Sequence, residues 1–196
     1  NKIVFSIVLL FRQYVIRFLN YKKVQLSPDE LKILNILKKD GIVVIPNYFS
    51  KEQCGDMKLE FDKYVNNHSI YCDEHERRVF GIEELSQPIN KIFSQDKFSR
   101  NICEAYLGET MNLQCTMSAR IDYKKGIKYG SGGSWHRDSF SRQVKSISYL
   151  TDMSEENGPF MYVKGTHKIW SILRLLLRLK RKGVKANYSR LSLKDL

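Results

Sequence analysis

Long apolar runs, clustered cysteines and internal repeats are all missing from this 196-residue chain, and each absence removes a class of protein. The longest apolar stretch, Ile3 to Phe11, holds Ser6 and stops at Arg12 and Gln13. A membrane-spanning helix needs roughly 20 such residues, and no small-residue cleavage site marks a secretory signal. What remains is an amphipathic helix within residues 1–25. It is expected to pack on the domain, with contact to a membrane surface as the less favoured alternative. Cys54, Cys72, Cys103 and Cys115 lie far apart without a C-x-x-C pair. That spacing excludes a zinc knuckle or a disulfide framework and fits reduced thiols in a cytoplasmic protein.

Acidic residues are outnumbered, 21 against 33 basic ones, for a formal charge of +12. Much of the excess sits near the ends, in Lys22-Lys23 and from Arg174 to Lys185, and no aromatic-interleaved basic motif accompanies it. A nucleic-acid partner is therefore not expected; solubility, or steering of an anionic small molecule, accounts for the charge. With 42% hydrophobic and 12% aromatic residues, the chain has the composition of a folded domain with a core. It begins at Asn1 rather than Met, and a fragment of a longer chain is expected.

Local signals order the first half. Ser27-Pro28-Asp29-Glu30 has the form of an N-cap, a proline in the first turn and a capping box. It predicts a helix carrying Leu31, Leu34 and Leu37 that ends near Asp40-Gly41. Gly41 to Pro46 reads as a short strand, and Ser50-Lys51-Glu52-Gln53 opens a helix to about Tyr64. Residues 65–90 look polar and loop-like, and Ser86 to Leu107 looks like one helix. The β-pattern then takes over, with strands expected at Gln114–Tyr123, Val144–Leu150 and Phe160–Val163. Lys168 to Lys182 is helical in pattern, with an apolar stripe more typical of a core or an interface than of a membrane anchor. Helices followed by strands imply an α+β fold with an antiparallel core.

The chemistry concentrates in Trp135-His136-Arg137-Asp138, behind the glycine-rich loop 130–134. On extended backbone, residues two apart point to one side, so His136 and Asp138 can grip one ion. This pair is the form taken by two ligands of a 2-His-1-carboxylate triad for non-haem Fe(II). The letters H-R-D also occur in protein kinases. There an Asn follows five residues after the Asp; position 143 here is Gln, and no D-F-G follows.

Residues 131–168 contain W-H-x-D, then L-T-D-M-S-E-E-N-G-P, then G-T-H-K. These three blocks, in this order, resemble the phytanoyl-CoA dioxygenase family, and G-I-V-V-I-P-N-Y-F-S-K-E-Q (41–53) resembles its opening strand and helix. The resemblance implies a double-stranded β-helix, a cupin-like jelly roll with the N-terminal helices packed on it, over residues 26–196. It implies Fe(II) and 2-oxoglutarate as cofactors, O₂ as co-reactant, and hydroxylation of a small molecule with decarboxylation of 2-oxoglutarate to succinate. His136 and Asp138 take the places of metal ligands. Related halogenases carry a small residue in place of the carboxylate, so Asp138 favours hydroxylation. His167 matches a histidine that closes a strand and is not a ligand. The third ligand, and the arginine that pairs with 2-oxoglutarate, are expected beyond Leu196, along with the C-terminal strands. The chain up to Leu196 is accordingly expected to bind iron weakly and turn over little. A jelly roll that binds without catalysing is the alternative. Lys145, on one face of the 144–150 stretch with Ile147 and Tyr149, is a candidate for an acidic group of the cosubstrate or substrate. Arg120 and Arg78 are further anion-binding candidates.

Overall fold

The computed structural model describes residues 23–68, 71–72, 76–111, 115–122, 135–138 and 143–181, with a few positions upstream (8, 11, 12, 15, 18, 19 and 21). Helix α1, Pro28–Asp40, starts as its sequence dictates. The Ser27 hydroxyl accepts from the Glu30 amide at 3.3 Å, while the Glu30 carboxylate accepts from the Ser27 amide at 2.7 Å. These bonds satisfy two of the amides that a helix start leaves open. At its far end Gly41 turns left-handed at φ +81° and donates to the Leu37 carbonyl. Helix α2, Lys51–His68, repeats the reciprocal cap with Ser50 and Gln53 and runs one turn beyond the expected end.

The stretch 65–90, expected as a loop, is mostly regular. Strand β1 (Tyr71–Cys72) and strand β2 (Glu76–Phe80) precede helix α3 (Ile82–Leu85), and helix α4 (Gln87–Gln95) follows. Strand β3, Met117–Ile121, falls inside the stretch expected at 114–123 and completes an antiparallel sheet in the order β1-β2-β3. Arg77 lies directly opposite Arg120 across β2 and β3. Such like-charge pairs are unfavourable, and acids relieve them here: Asp122 holds Arg77 at 3.3 Å, and Asp62 on α2 holds Arg120. The single helix expected over 86–107 is two, because Asp96 caps a new one. Its carboxylate accepts from the Ser99 amide at 3.0 Å, opening α5 at Lys97–Leu107.

The core lies between α2, the sheet and α3–α4. Phe61 and Val65 meet Val79, Ile82 and Ile89, and Phe93 packs at the margin. Ser86 is fully buried within this layer. It caps α4 through the Ile89 amide and donates to Glu60 at 2.9 Å. Helix α1 packs on α5, where Glu30 accepts from the Asn101 side chain at 2.9 Å.

Three expected strands do not form ladders among the described residues. Residues 42–46, 144–150 and 160–163 pair with no other described strand. Several of their apolar side chains are open to solvent, Val44 at 79% and Met161 at 58%. A strand exists only through its neighbour, and a full double-stranded β-helix is not present among the described residues. The helical positions near the start also differ from expectation: Val8, Phe11, Phe18 and Leu19 are 55–85% exposed rather than packed. Among the described residues no helix is long and apolar enough to cross a membrane. The last helix, α6, covers Ile169–Arg181 and buries Ile172 while leaving Trp170 exposed.

Candidate functional site

Residues 135–138 are not in a ladder, yet their burial alternates as extended backbone requires. Trp135 and Arg137 are half-buried, while His136 and Asp138 face outward on the other side. The two outward side chains meet, with His136 Nε2 3.1 Å from Asp138 Oδ1. Two ligands at neighbouring corners of an octahedron, each about 2.1–2.2 Å from an ion, stand about 3.0–3.1 Å apart. An imidazole nitrogen and a carboxylate oxygen are also the donor types that suit Fe(II). The pair therefore fits two of the three protein ligands of such a site. Among the described residues no third His, Cys, Asp or Glu joins it.

The second oxygen of Asp138 pairs with the Lys145 ammonium. This hydrogen bond, reinforced by the charges of Lys145 and His136, holds the Asp138 carboxyl below the usual carboxylate range against the opposing cost of burial. Lys145, expected at an acidic group of cosubstrate or substrate, pairs here with an acid of the chain itself.

Arg137, between the two candidate ligands, turns the opposite way. Its guanidinium donates to the carbonyl of Thr166. Partial burial pulls its pKa down from the ordinary arginine value, and the nearby Tyr162 hydroxyl opposes that shift. Thr166 belongs to the turn 164–168, and this turn is seated on the C-terminal end of α1. The Gly165 amide donates to the Asp40 carbonyl at 2.8 Å, His167 Nε2 donates to the Lys38 carbonyl at 3.1 Å, and Lys164 pairs with Asp40 at 3.0 Å. A helix end leaves its last carbonyls without partners; here a segment some 125 residues away supplies them. His167 is thereby a helix-capping residue.

The remaining candidates lie in the sheet. Arg120 is held by Asp62 and rests over the Phe61 ring at 5.7 Å, and Arg78 pairs with Glu76. No described contact brings either to the His136–Asp138 pair. His68 ends α2 and stacks edge-on against Tyr64, and His75 lies outside the described residues. Sequence reasoning passed over Arg137 as a tether. Its only signal was its place inside W-H-R-D, and its partner is a backbone carbonyl 29 residues on.

Residues 37–178 match the phytanoyl-CoA dioxygenase (PhyH) family. The chain belongs to this family. Among curated proteins it is similar to an ectoine dioxygenase of Bordetella bronchiseptica, 23% identical over 161 residues, covering 73% of this chain and 50% of that one. An ectoine dioxygenase of Stutzerimonas stutzeri is 21% identical over 160 residues, 72% of this chain and 52% of its own. A third, from Streptomyces coelicolor, is 23% identical over 155 residues, 69% and 50%. The chain spans about half the length of these curated relatives. No solved structure matches it. As a phytanoyl-CoA dioxygenase family member, the chain carries its His-x-Asp pair and its G-T-H-K turn inside the matched region.

Proposed function

We propose that this chain carries part of the catalytic site of an Fe(II)/2-oxoglutarate-dependent dioxygenase that hydroxylates a C–H bond of a small molecule. The observation that carries the proposal is the 3.1 Å approach of His136 Nε2 to Asp138 Oδ1 within the W-H-x-D block of a PhyH-family chain. When bound, iron with 2-oxoglutarate and O₂ would supply the oxidising chemistry, with 2-oxoglutarate leaving as succinate and CO₂. His136 and Asp138 would hold the metal, the one through an imidazole nitrogen and the other through a carboxylate that Lys145 holds below the usual range. Lys145 would serve a cosubstrate carboxylate once its ammonium was no longer needed by Asp138. Arg120 and Arg78 would have to leave Asp62 and Glu76 to bind an anion, which makes them weaker candidates than Lys145. Trp135, half-buried behind the pair, would shield one side of it from water.

The test is conversion of 2-oxoglutarate to succinate by the full-length protein, with and without Fe(II), and with ectoine as the first substrate suggested by the relatives' names. Turnover should require Fe(II) and vanish in His136→Ala. Unchanged turnover in that variant would sink the assignment. A binding protein that does not catalyse would yield no succinate from the wild type either.

A further inference from the structure

The three described tethers around the candidate metal pair do not act on the same atoms. Lys145 and His136 address the Asp138 carboxylate, whereas Arg137 leaves the pair and reaches the turn that caps α1. We propose that Arg137 is a positioning residue: it anchors the backbone between His136 and Asp138 to the Thr166 carbonyl, and through that turn to the end of α1, so that both donor atoms stay aimed at one ion. The proposal rests on the iron-site reading above.

Three observations carry it. First, Arg137 is the residue between the two donors, so a restraint on it acts on both backbone positions at once. Among the described residues, 135–138 are assigned to no strand. Second, its anchor is firm. Thr166 accepts from Arg137 while its neighbours Gly165 and His167 bond to the carbonyls of Asp40 and Lys38. The turn also lies against Gly41, where an added Cβ would run into Nδ1 of the His167 ring and stand 2.5 Å from the Tyr162 hydroxyl. Third, a guanidinium suits such an anchor, because it stays charged when half-buried and directs donors from a planar fork to a fixed acceptor. A carbonyl ties down one end of a long side chain whose other end carries the metal pair.

The sign of the expected effect separates this role from simple electrostatics. Removing a positive charge near a cation site would, by charge alone, tighten cation binding. Loss of an anchoring contact should weaken it instead, on the order of tenfold as for outer contacts of other metal sites. Co(II), followed by its visible absorption, is titrated into full-length wild type, His136→Ala, Arg137→Met, Arg137→Lys and Gly41→Ala. Wild type binds and His136→Ala does not; if these two match, the iron-site reading itself fails. Given that difference, Arg137→Met should bind about tenfold more weakly, and Arg137→Lys, which keeps a donor, should lose less. Gly41→Ala displaces the same turn from the other side, so its loss and that of Arg137→Met should overlap in the double variant. An unchanged or tighter Co(II) affinity in Arg137→Met overturns the proposal, as do losses that add in full. Should Arg137→Met fail to fold, Arg137→Lys and Gly41→Ala carry the same comparison.

Discussion

Gly41→Ala tests whether the turn 164–168 truly caps α1. Gly41 sits at φ +81°, a conformation that costs an L-residue about 1–2 kcal/mol. Its missing side chain also makes room for the turn. A Cβ there would press into the His167 ring and the Tyr162 hydroxyl, both closer than real Cβ contacts allow. Relief requires the turn to move, which loosens the Gly165–Asp40 and His167–Lys38 hydrogen bonds, worth about 1 kcal/mol each. The sum is about 3 kcal/mol, which in a chain of this size lowers the melting temperature by roughly 6–12 °C. Gly158→Ala separates the two causes. Gly158 is also left-handed, at φ +66°, but its Cβ would meet nothing within 4 Å. It should cost only the backbone part, about 1 kcal/mol and roughly 2–4 °C. Differential scanning calorimetry on the two variants reads the difference. If their melting temperatures fall by the same amount, the turn does not sit on the helix end and the anchoring of Arg137 loses its base.

The core predicts a graded loss. Ile82, fully buried among Phe61, Val65, Val79 and Ile89, should cost about 1 kcal/mol as Val and about 3–4 kcal/mol as Ala in urea unfolding. Equal costs would mean that no cavity forms. Glu30 has its carboxyl lowered first by the Ser27 amide and then by Asn101. Its folded pKa lies below the unfolded one, so the stabilisation is complete above the unfolded value and lost as pH falls through the folded one. Glu30→Ala should therefore cost about 1 kcal/mol at neutral pH, and the gap to wild type should close in acid; a gap independent of pH would refute the cap. The Cys103 thiol is pushed up to about 11 by burial, so it should resist iodoacetamide in the native state while exposed Cys115 reacts, as peptide mass mapping would show. Lys145→Met removes a cation from the Asp138 oxygen itself and should tighten Co(II) binding severalfold at low salt, the gain fading as ionic strength rises. Weaker binding at every salt concentration would assign Lys145 an orienting role instead.

What could be read from the sequence was what neighbours in sequence decide. The caps at Ser27–Glu30 and Ser50–Gln53 and the end of α1 near Gly41 were legible because their partners lie within four residues. Strand β2 was not, since Arg77 and Arg78 read as solvated loop. Their charges are answered by Asp122, 45 residues on, and by Glu76, whose burial only the fold reveals. The break at Asp96 did have a local signal, a capping carboxylate three residues before Ser99, inside a run that otherwise looked like one helix. The apolar stretches 144–150 and 160–163 carried a strand pattern, but a pattern names no partner, and no described segment pairs with them. In the site, the two-residue spacing of His136 and Asp138 made their meeting legible. The cation on the far oxygen of Asp138 and the carbonyl under Arg137 were not, because seven and 29 residues separate the partners.

The position of His167 bears on where a third ligand can come from. A carbonyl oxygen only accepts, so the 3.1 Å contact with Lys38 places a proton on His167 Nε2. Giving that nitrogen to a metal would break its bond to the end of α1. Moving that nitrogen to the His136–Asp138 pair would uncap α1, withdraw the turn that holds Arg137 and so loosen the two ligands it was meant to join. Ligation by His167 and support of the pair through Arg137 are therefore competing uses of one turn. The bonds present, from Gly165 and His167 to α1 and from Arg137 to Thr166, are those of the supporting use.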